Sequence, residues 1–355
     1  FPDNGDLEKV SALHSDRESL SEVLDRYFSD DEIKLVLSWI TVYTGLPAGE
    51  SLFSLSALIT KLYIEESCIL RGGVPALRKA LIDVILKNGG RILTGRALSS
   101  VSVSGPAVKS VSCSSGETFN ASVFVSALPL DSFLEIFSSS LGDADKGIYA
   151  RWLSRTGRKL SLRSGNSSMF SLYIKMKPGV PADVFDGVPF TYLASSSGTA
   201  DWPLRFTAVP YIENGFTVSV QVHAFMSFAE VERWADSSVG NRPAGYGDFK
   251  AERCRRIMEL LENLFPGFGS KVENILSSSP LTVRDWLGRT RGNVYGPLVV
   301  PENGLPAISV RTPAANLFLT GEDVRFHGLC GVPATSLECV SAVMASKDFN
   351  VVAPE

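Results

Sequence analysis

The segment that most restricts the fold lies near the C-terminus, where an apolar strand predicted over residues 316–320 runs into a glycine-rich turn over 321–331. A helix is predicted to begin at Val332 and Pro333, because proline suits the first turn of a helix, and to run to about Ala345. The N-terminus of such a helix presents free N–H groups and a positive dipole end to the turn. Since ligands of α/β proteins usually bind at this edge, the segment predicts an α/β protein with a binding site beyond the carboxyl end of the strand.

A second part of the chain also combines a helix with strands. Gly72 and Gly73 precede Pro75, which again suits a first helical turn, and the glycines within 88–90 end this helix. The continuous apolar run at 121–129 is typical of a strand that is covered on both faces. Between them, short strands separated by glycine-containing turns are predicted at 91–94, 98–103, 108–113 and 117–120.

The first seventy residues have the pattern of helices. Ser29 and Glu32 match a capping box, and the residues behind them predict a helix over 33–40 with one buried face. A second helix is predicted over 52–65, with a broad apolar face. A plain core is the favoured interpretation of these faces, and a long apolar substrate or a contact with a membrane surface are the alternatives.

The middle of the chain predicts a sheet followed by a helix. A charged amphipathic helix is predicted over 249–264, and residues 195–199 and 240–247 have the composition of exposed, mobile loops. Alternating or β-branched patterns predict strands at 170–176, 190–193, 204–210 and 217–225.

Composition excludes several classes of protein. The chain has 34 Lys and Arg against 38 Asp and Glu, so its net charge of −4 does not favour a nucleic-acid-binding protein. Its five cysteines form no CxxC pair and are interpreted as buried free thiols, which predicts an intracellular location, cytoplasmic or organellar, for a soluble or peripheral membrane protein. The three histidines are too far apart in sequence to indicate a metal site.

Three motifs in this order resemble FAD-dependent oxidoreductases of the phytoene desaturase, carotenoid isomerase and retinol saturase family. The first is the run at 70–129, which begins LRGGVPALRKALIDVILKNGG and ends FVSALP. The others are SPLTVRDWLGRTRGNVYGPL at 279–298 and NLFLTGEDVRFHGLCGVPATSLECVSAV at 316–343. Flavin amine oxidases and Rab GDP-dissociation inhibitors share this layout more distantly. The GxGxxG turn with which these families begin is not found, so the resemblance implies a chain that lacks the ADP-binding segment.

The resemblance implies an α/β (α+β) fold, in which an FAD/NAD(P)-binding Rossmann-like domain, incomplete at its N-terminus, is interleaved with a substrate domain of mixed sheet plus helices. The helical part of the substrate domain is expected at 1–70 and its sheet and helices at 131–295. The middle and C-terminal segments of the FAD-binding domain are expected at 71–130 and 296–355.

The resemblance also implies site residues, with FAD as the cofactor. Tyr295 and Gly296 match the aromatic-glycine signature of the substrate cavity. No side chain stands out as a catalytic residue, and His327, Cys330 and the arginines Arg284, Arg289 and Arg291 are interpreted as structural or solvated. The expected cofactor-binding residues are Gly72, Gly73, Leu98, Ala127, Gly321, Glu322, Asp323, Gly328, Gly331, Val332 and Pro333.

The implied activity is oxidation, reduction or isomerisation of C–C bonds in an apolar, isoprenoid-like small molecule by hydride transfer to or from flavin N5. Two alternatives remain open at this point. One is a flavin amine or amino-acid oxidase. The other is a non-catalytic binding protein of the GDP-dissociation inhibitor type. The sequence does not predict an oligomeric state.

Overall fold

The computed structural model describes residues 17–66, 70, 72–161, 167–185, 190–193, 205–296, 298–301, 308–325 and 328–346. Its helices are α1 (Leu20–Tyr27), α2 (Asp31–Leu37), α3 (Thr41–Thr44), α4 (Phe53–Glu66), α5 (Gly73–Lys87), α6 (Leu130–Ser140), α7 (Asp143–Ser161), α8 (Tyr246–Leu264), α9 (Pro280–Leu287) and α10 (Gly328–Met344). Its strands are β1 (Leu98–Ser104), β2 (Ala107–Cys113), β3 (Thr118–Asn120), β4 (Phe124–Ser126), β5 (Ser167–Met176), β6 (Phe190–Leu193), β7 (Arg205–Glu213), β8 (Phe216–Ser227), β9 (Val272–Ser278) and β10 (Leu317–Leu319). The structure confirms a mixed α/β fold.

The largest sheet is antiparallel and has the strand order β6-β7-β8-β5-β9. Because side chains alternate between the two faces of a strand, Phe170, Leu172 and Ile174 all point to one face, where they are fully buried. Helix α8 contributes Ile257 and Leu261 to this core. The opposite face carries polar and aromatic side chains and lies toward α3, since Arg205 at the start of β7 bonds to Thr41.

A second core forms around two smaller sheets. Strands β4 and β10 pair in parallel, with Phe318 opposite Val125, and β1, β2 and β3 form an antiparallel sheet. Phe133 and Phe137 of α6, Tyr149 of α7 and Phe318 of β10 are fully buried together in this core. The C-terminal strand predicted at 316–320 is therefore present as β10, and all three of its residues are buried.

The helical N-terminal region differs from the prediction at its second helix. Helix α2 has Asp30 as its N-cap, whose Oδ1 accepts from the N–H groups of Glu32 and Ile33, so the expected capping box of Ser29 is wrong. The buried face expected over 33–40 is also wrong for α2, which has no buried residue; only Ile40 just beyond it is buried. A capping box does form at α1, between Ser19 and Glu22, where the backbone donors of the first turn find side-chain acceptors.

Four predicted segments differ from the structure in extent or type. Residues 91–94 form no strand, and the apolar run at 121–129 yields only the three residues of β4, whose Val125 is 52% exposed rather than covered. Helix α10 begins at Gly328 instead of Val332, so Pro333 lies inside the helix. Residues 240–247 are not a free loop throughout, because α8 already begins at the buried Tyr246.

Helix α5 stands out because none of its residues is buried. It is capped by Gly72, whose φ of +77° is in the left-handed region, and it ends at Asn88 as predicted. Apolar side chains nevertheless face solvent along it: Val74, Leu81, Val84, Ile85 and Leu86. This amphipathic helix therefore lacks a partner within the described residues.

Three further sequence-based expectations can be compared with the structure. Cys113, Cys254 and Cys339 are free thiols, but only Cys339 is buried. Across the ranges described above, no cluster of three or more His, Cys, Asp or Glu has a geometry for holding a metal ion. Within those same ranges no helix has both the length and the apolar character needed to cross a bilayer. Residues 195–199, Cys68 and His327 lie outside the described residues.

Candidate functional site

The candidate site lies where β4 and β10 end side by side. Thr320 N donates to Ser126 O at 2.9 Å, which continues the parallel pairing beyond the last strand residue. The next residues, Ala127 and Gly321, are therefore neighbours, and an added Cβ at Gly321 would lie 3.7 Å from Ala127 O. Gly321 has a φ of +101°, a conformation that favours glycine, so the turn can leave the strand here without strain.

The turn presents backbone donors at this edge. The N–H groups of Gly321, Glu322 and Asp323 donate to no acceptor within the described part of the chain, whereas the following N–H, that of Val324, donates to Gly321 O. Successive free N–H groups at the carboxyl end of parallel strands form a site for an anion or for carbonyl oxygens. The backbone of this turn is thus available to a ligand.

The two carboxylates of the turn are bound by protein groups, and their assignment to the cofactor remains a prediction. Arg289 Nη1 donates to Asp323 Oδ1 at 2.5 Å, and Arg289 Nη2 donates to Glu322 Oε1. Asp323 also accepts from the N–H of Leu130 at 2.8 Å, at the start of α6. Both acidic side chains are therefore held by protein groups, so that they fix the shape of the turn.

Burial and charge compete in this cluster. Burial works to lower the pKa of Arg289, but the carboxylates of Asp323 and Glu322 outweigh it, so the pKa is raised and the guanidinium stays charged. Burial raises the pKa of Glu322, and Arg289 opposes that shift. The interpretation of Arg289 as a solvated residue is wrong, because it is 9% exposed.

Neighbouring contacts hold the loop that carries Arg289. Thr290 Oγ1 donates to Asp131 Oδ2 at 2.6 Å, and Ser132 Oγ donates to Gly288 O. Arg284 is likewise not solvated, since it donates to the carbonyl of Ser237 at 2.7 Å and bonds to Asp285. Arg291 is more exposed and lies 3.6 Å from Glu232.

Tyr295 and Gly296, the expected substrate-binding residues, lie directly beside the turn. An added Cβ at Gly296 would be 3.1 Å from both Asp323 Oδ1 and Glu322 O, so only glycine allows this approach. The Tyr295 hydroxyl donates to Val42 O at 2.5 Å, and burial raises the pKa of this phenol. The Tyr295 ring stacks on Phe225 with centroids 5.7 Å apart, which places an aromatic pair next to the turn.

Helix α10 packs along β10 beyond the turn. Thr320 Oγ1 and Ser336 Oγ are 3.2 Å apart, and Cys339 is buried in the same core as Phe318. The N–H groups of the first turn of a helix have no intrahelical acceptor, and in α10, which begins at Gly328, they include those of residues 328–330. Gly328 therefore contributes a backbone donor, whereas Pro333 contributes none, Val332 is half-buried, and the role expected of Gly331 remains a prediction.

The remaining predicted cofactor residues are not brought to the turn. An added Cβ at Gly72 or Gly73 would meet only Ala76 or Pro75 of its own helix. Leu98 begins β1 and packs against the second core. Their assignment to the cofactor remains a prediction, and so does any role of His327 or of the Cys330 side chain, which lie outside the described residues.

The sequence profile described as "Flavin containing amine oxidoreductase" matches residues 1–335, and the chain therefore belongs to this family. All-trans-retinol 13,14-reductase of Macaca fascicularis is 24% identical over 369 residues, covering 94% of this chain and 58% of the relative. The human all-trans-retinol 13,14-reductase is 25% identical with the same coverages. The chain thus spans little more than half the length of these relatives.

Among solved structures, the lanthipeptide tryptophan 5-halogenase MibH is similar at 13% identity with a TM-score of 0.33, covering 76% of this chain and 36% of that structure. A similarity this low supports no conclusion about the fold or the function of this chain. Family membership supports FAD as the cofactor and an oxidoreductase as the class of enzyme. The residues present fit such a group, because the N–H groups of the turn have no acceptor among the described residues, while the carboxylates of Glu322 and Asp323 are paired with Arg289.

Sequence reasoning missed the residues that shape the site through long-range contacts. Arg289 lies 34 positions from Asp323 in sequence, and Phe225 lies on a different element from Tyr295. One signal was available in the sequence. An arginine directly follows the glycine that ends α9, two consecutive acidic residues follow β10, and these charges are opposite in sign. Arg205 and His223, on the polar face of the large sheet, had no comparable signal.

Proposed function

We propose that this protein is an FAD-dependent oxidoreductase that acts on a carbon–carbon double bond of an apolar, polyene-like substrate. The observation that carries the proposal is the turn at Gly321–Asp323, which offers free backbone N–H groups and adjoins the aromatic pair of Tyr295 and Phe225. The relatives named all-trans-retinol 13,14-reductase support a C–C bond as the reacting group. When bound, FAD supplies the two-electron hydride chemistry.

The chain's own residues would hold and tune the cofactor. The N–H groups of the turn and of the N-terminus of α10 stabilise negative charge, which favours the reduced state of a flavin beside them. Arg289 keeps Glu322 and Asp323 from opposing that effect, since their charges are paired. Gly296 lets the backbone reach the turn and so places Tyr295 at the edge of the cofactor position.

The same residues would position an apolar substrate. Aromatic rings provide apolar surface with little loss of conformational freedom, and the Tyr295 ring is fixed by its hydrogen bond to Val42. No general base is required, because hydride transfer to a double bond needs only a proton from solvent or from a nearby donor. Exclusion of water and orientation are then the protein's main contributions.

A groove between α1 and α4 also suits an apolar ligand. It encloses about 410 Å³ and is lined by apolar side chains, among them Leu24, Ile40, Phe53 and Ile64. Exposed Ile33 and Val36 on α2 continue the apolar surface of this region. We propose that this end of the molecule admits the substrate, and contact with a lipid surface would serve the same purpose.

Our proposal for the finer architecture rests on apolar surface that has no partner among the residues that the structure describes. Helix α5 has no buried residue, Val125 of β4 is exposed, and Leu337 and Val340 of α10 are exposed as well. Parallel strands are normally covered on both faces, so a pair as short as β4 and β10 needs more structure around it. We propose that 71–130 and 296–355 belong to a Rossmann-like FAD domain completed by further polypeptide, and that 1–70 and 131–295 form the substrate domain.

Flavin binding is tested with a bulky residue at the turn of the natural full-length protein. Ala127 is exposed at the carboxyl end of β4, so Ala127→Trp should fill the cofactor position without disturbing the core. Ala121→Trp, at an exposed alanine before the same strand, is the matched control. We expect the visible flavin absorbance to be lost only in A127W, with both variants folded by circular dichroism. Stoichiometric flavin in A127W would contradict the proposed site.

Catalysis is tested by adding all-trans-retinol to the anaerobic, flavin-reduced protein. A hydride from the flavin and a proton from solvent should add across one double bond, which oxidises the flavin and gives a product with one conjugated double bond fewer. Reappearance of oxidised flavin together with that product supports the proposal. A flavin that stays reduced with polyene alcohols, acids and hydrocarbons would refute it.

Amine oxidation is a second candidate, favoured by the family description. The two candidates differ in their product with oxygen. Hydrogen peroxide released during an amine screen, with no change in polyene substrates, would establish the second candidate in place of the first.

A further inference from the structure

Arg205 is a half-buried arginine at the start of β7, beside the candidate substrate position. Its Nη1 donates to Thr41 Oγ1 at 2.7 Å, and its guanidinium carbon lies 4.3 Å from the centre of the Phe225 ring. No carboxylate lies within ion-pair distance of it in the ranges that the structure describes. A guanidinium has five N–H donors. Within the described residues, most of the hydrogen-bonding capacity of Arg205 is therefore free for a ligand.

Comparable arginines elsewhere in the molecule have counter-ions. Arg253 lies 2.9 Å from Glu230, Arg325 lies 2.8 Å from Glu338, and Arg242 contacts Asp285. A charge removed from water without a partner is costly, and burial lowers the pKa of Arg205 accordingly. An anion at this position would remove that cost.

The position of Arg205 connects it to the candidate site through one aromatic stack. Phe225, under the guanidinium, stacks on Tyr295, and Tyr295 precedes the glycine that touches the turn. The aromatic pair therefore lies between the arginine and the position proposed for the cofactor. A long apolar molecule lying along these rings would bring one end to Arg205 and its chain toward the turn.

The sheet face around Arg205 is polar next to this stack. His223, two residues before Phe225 on β8, bonds through Nδ1 to Ser171 Oγ at 2.9 Å. In the same transverse row Thr207 pairs with His223 across the strands, and Thr191 pairs with Thr207. A polar row beside an aromatic stack fits a ligand with a polar end and an apolar body.

We propose that Arg205 binds the carboxylate at one end of an otherwise apolar substrate, so that the protein prefers an apolar acid to the corresponding alcohol. This inference rests on the proposed function, because it concerns the same substrate site. The planar guanidinium can donate two parallel hydrogen bonds to a carboxylate, a geometry that neither a hydroxyl nor a hydrocarbon end can use. Two contacts hold the guanidinium in place: its hydrogen bond to Thr41 and its position over the Phe225 ring.

The test is direct binding to the natural full-length, flavin-loaded protein by isothermal titration calorimetry. The probes are all-trans-retinoic acid, all-trans-retinol and retinyl phosphate. The variants are Arg205→Met, which keeps the apolar stem, and Arg205→Lys, which keeps the charge but not the fork. Arg233→Met is the matched control, because Arg233 also lies over an aromatic ring, 3.9 Å from the centre of Trp234, but on the exposed surface.

We expect the natural protein to bind the acid at least about tenfold more tightly than the alcohol, since hydrogen bonds to a charged group contribute about 1.5–3 kcal/mol. R205M should lose about 10- to 100-fold of its affinity for the acid and little for the alcohol. R205K should show an intermediate loss, and R233M should bind all probes as the natural protein does.

Equal binding of acid and alcohol by the natural protein would overturn the proposal, and so would equal losses for both in R205M. Tighter binding of retinyl phosphate than of retinoic acid would overturn the assignment to a carboxylate. Should R205M not fold, R205K decides the same question. Because binding is measured without turnover, an Arg205-dependent preference for the acid in a protein that reduces no double bond would refute the proposed function and leave this inference standing.

Discussion

Arg289→Met should destabilise the protein more than any exposed arginine substitution. Arg289 is the partner of two carboxylates, and the side chains of Asp323 and Glu322 are 7% and 29% exposed. Methionine fills a similar volume but leaves the buried carboxylate of Asp323 and the half-buried carboxylate of Glu322 without a cation. Removing one partner of a buried ion pair costs about 3–5 kcal/mol, because the remaining charge is uncompensated. We therefore expect a loss of about that size in the free energy of unfolding.

The assay is equilibrium unfolding in urea, followed by tryptophan fluorescence and by circular dichroism. With a urea dependence of about 3 kcal/mol per molar, a loss of about 3–5 kcal/mol should lower the midpoint of R289M by about 1–1.7 M. Arg255→Met is the control, since Arg255 also contacts two glutamates, Glu252 and Glu259, but all three side chains are exposed. That variant should unfold at nearly the same urea concentration as the natural protein, because exposed ion pairs contribute little to stability.

A second substitution separates the ion pair from simple packing. Asp323→Asn in the R289M background removes one of the stranded charges, so the double variant should lose less than the sum of the two single variants, with a coupling of about 1–3 kcal/mol. An R289M protein as stable as R255M, or strictly additive losses, would refute the argument that Arg289 neutralises the turn.

Three further predictions concern other parts of the molecule. Burial lowers the pKa of His223. Its contribution to stability is therefore present above about pH 6.5 and is lost as the pH falls through the folded-state pKa. His223→Gln should reduce the difference in stability that urea unfolding measures between pH 7.5 and pH 5.5. Gly45→Ala, whose Cβ would lie 2.6 Å from Tyr295 Cδ2, should lower the thermal midpoint more than Gly179→Ala, which has a similar φ but no neighbour within 4 Å. Ser19→Ala should cost about 1 kcal/mol in urea unfolding, since it removes the capping box of α1, whereas an unchanged midpoint would show that the cap contributes nothing.

Local patterns predicted four of the five strands of the large sheet, all except β9, because the alternation that marks a strand is local. Strands β5 and β8 alternate between core and polar residues, and a period of two is visible in any short window. The same holds for α5, where glycines at both ends mark the helix. What this pattern cannot supply is the partner: the apolar stripe of α5 predicts burial, yet the described residues leave it exposed.

The errors arose where local signals competed. Ser29 and Asp30 are both good N-caps, and geometry selects Asp30, whose Oδ1 reaches two backbone N–H groups. Because proline suits the first turn of a helix, Pro333 predicts a helix start, but α10 begins five residues earlier at Gly328. Pro333 therefore lies past the first turn, where it removes one intrahelical hydrogen bond without ending the helix. Of the candidate site, the backbone turn was predictable from its glycines. Its charge pairing was not, because Arg289 and Asp323 are far apart in sequence.

The short stretch from Gly288 to Gly296 joins every part of the molecule that contributes to the site. It binds the turn through Arg289, helix α6 through Thr290, the large sheet through the bond that Gly292 O accepts from Ser168, and the N-terminal helices through Tyr295. Gly292 can sit there only as glycine, since an added Cβ would lie 2.2 Å from Pro280 O. The sheet that carries Arg205 and Phe225 is therefore joined to Tyr295 and to Arg289 by a continuous set of contacts. If the proposed substrate binds at the sheet, we expect these nine residues to be the route by which binding alters the shape of the turn.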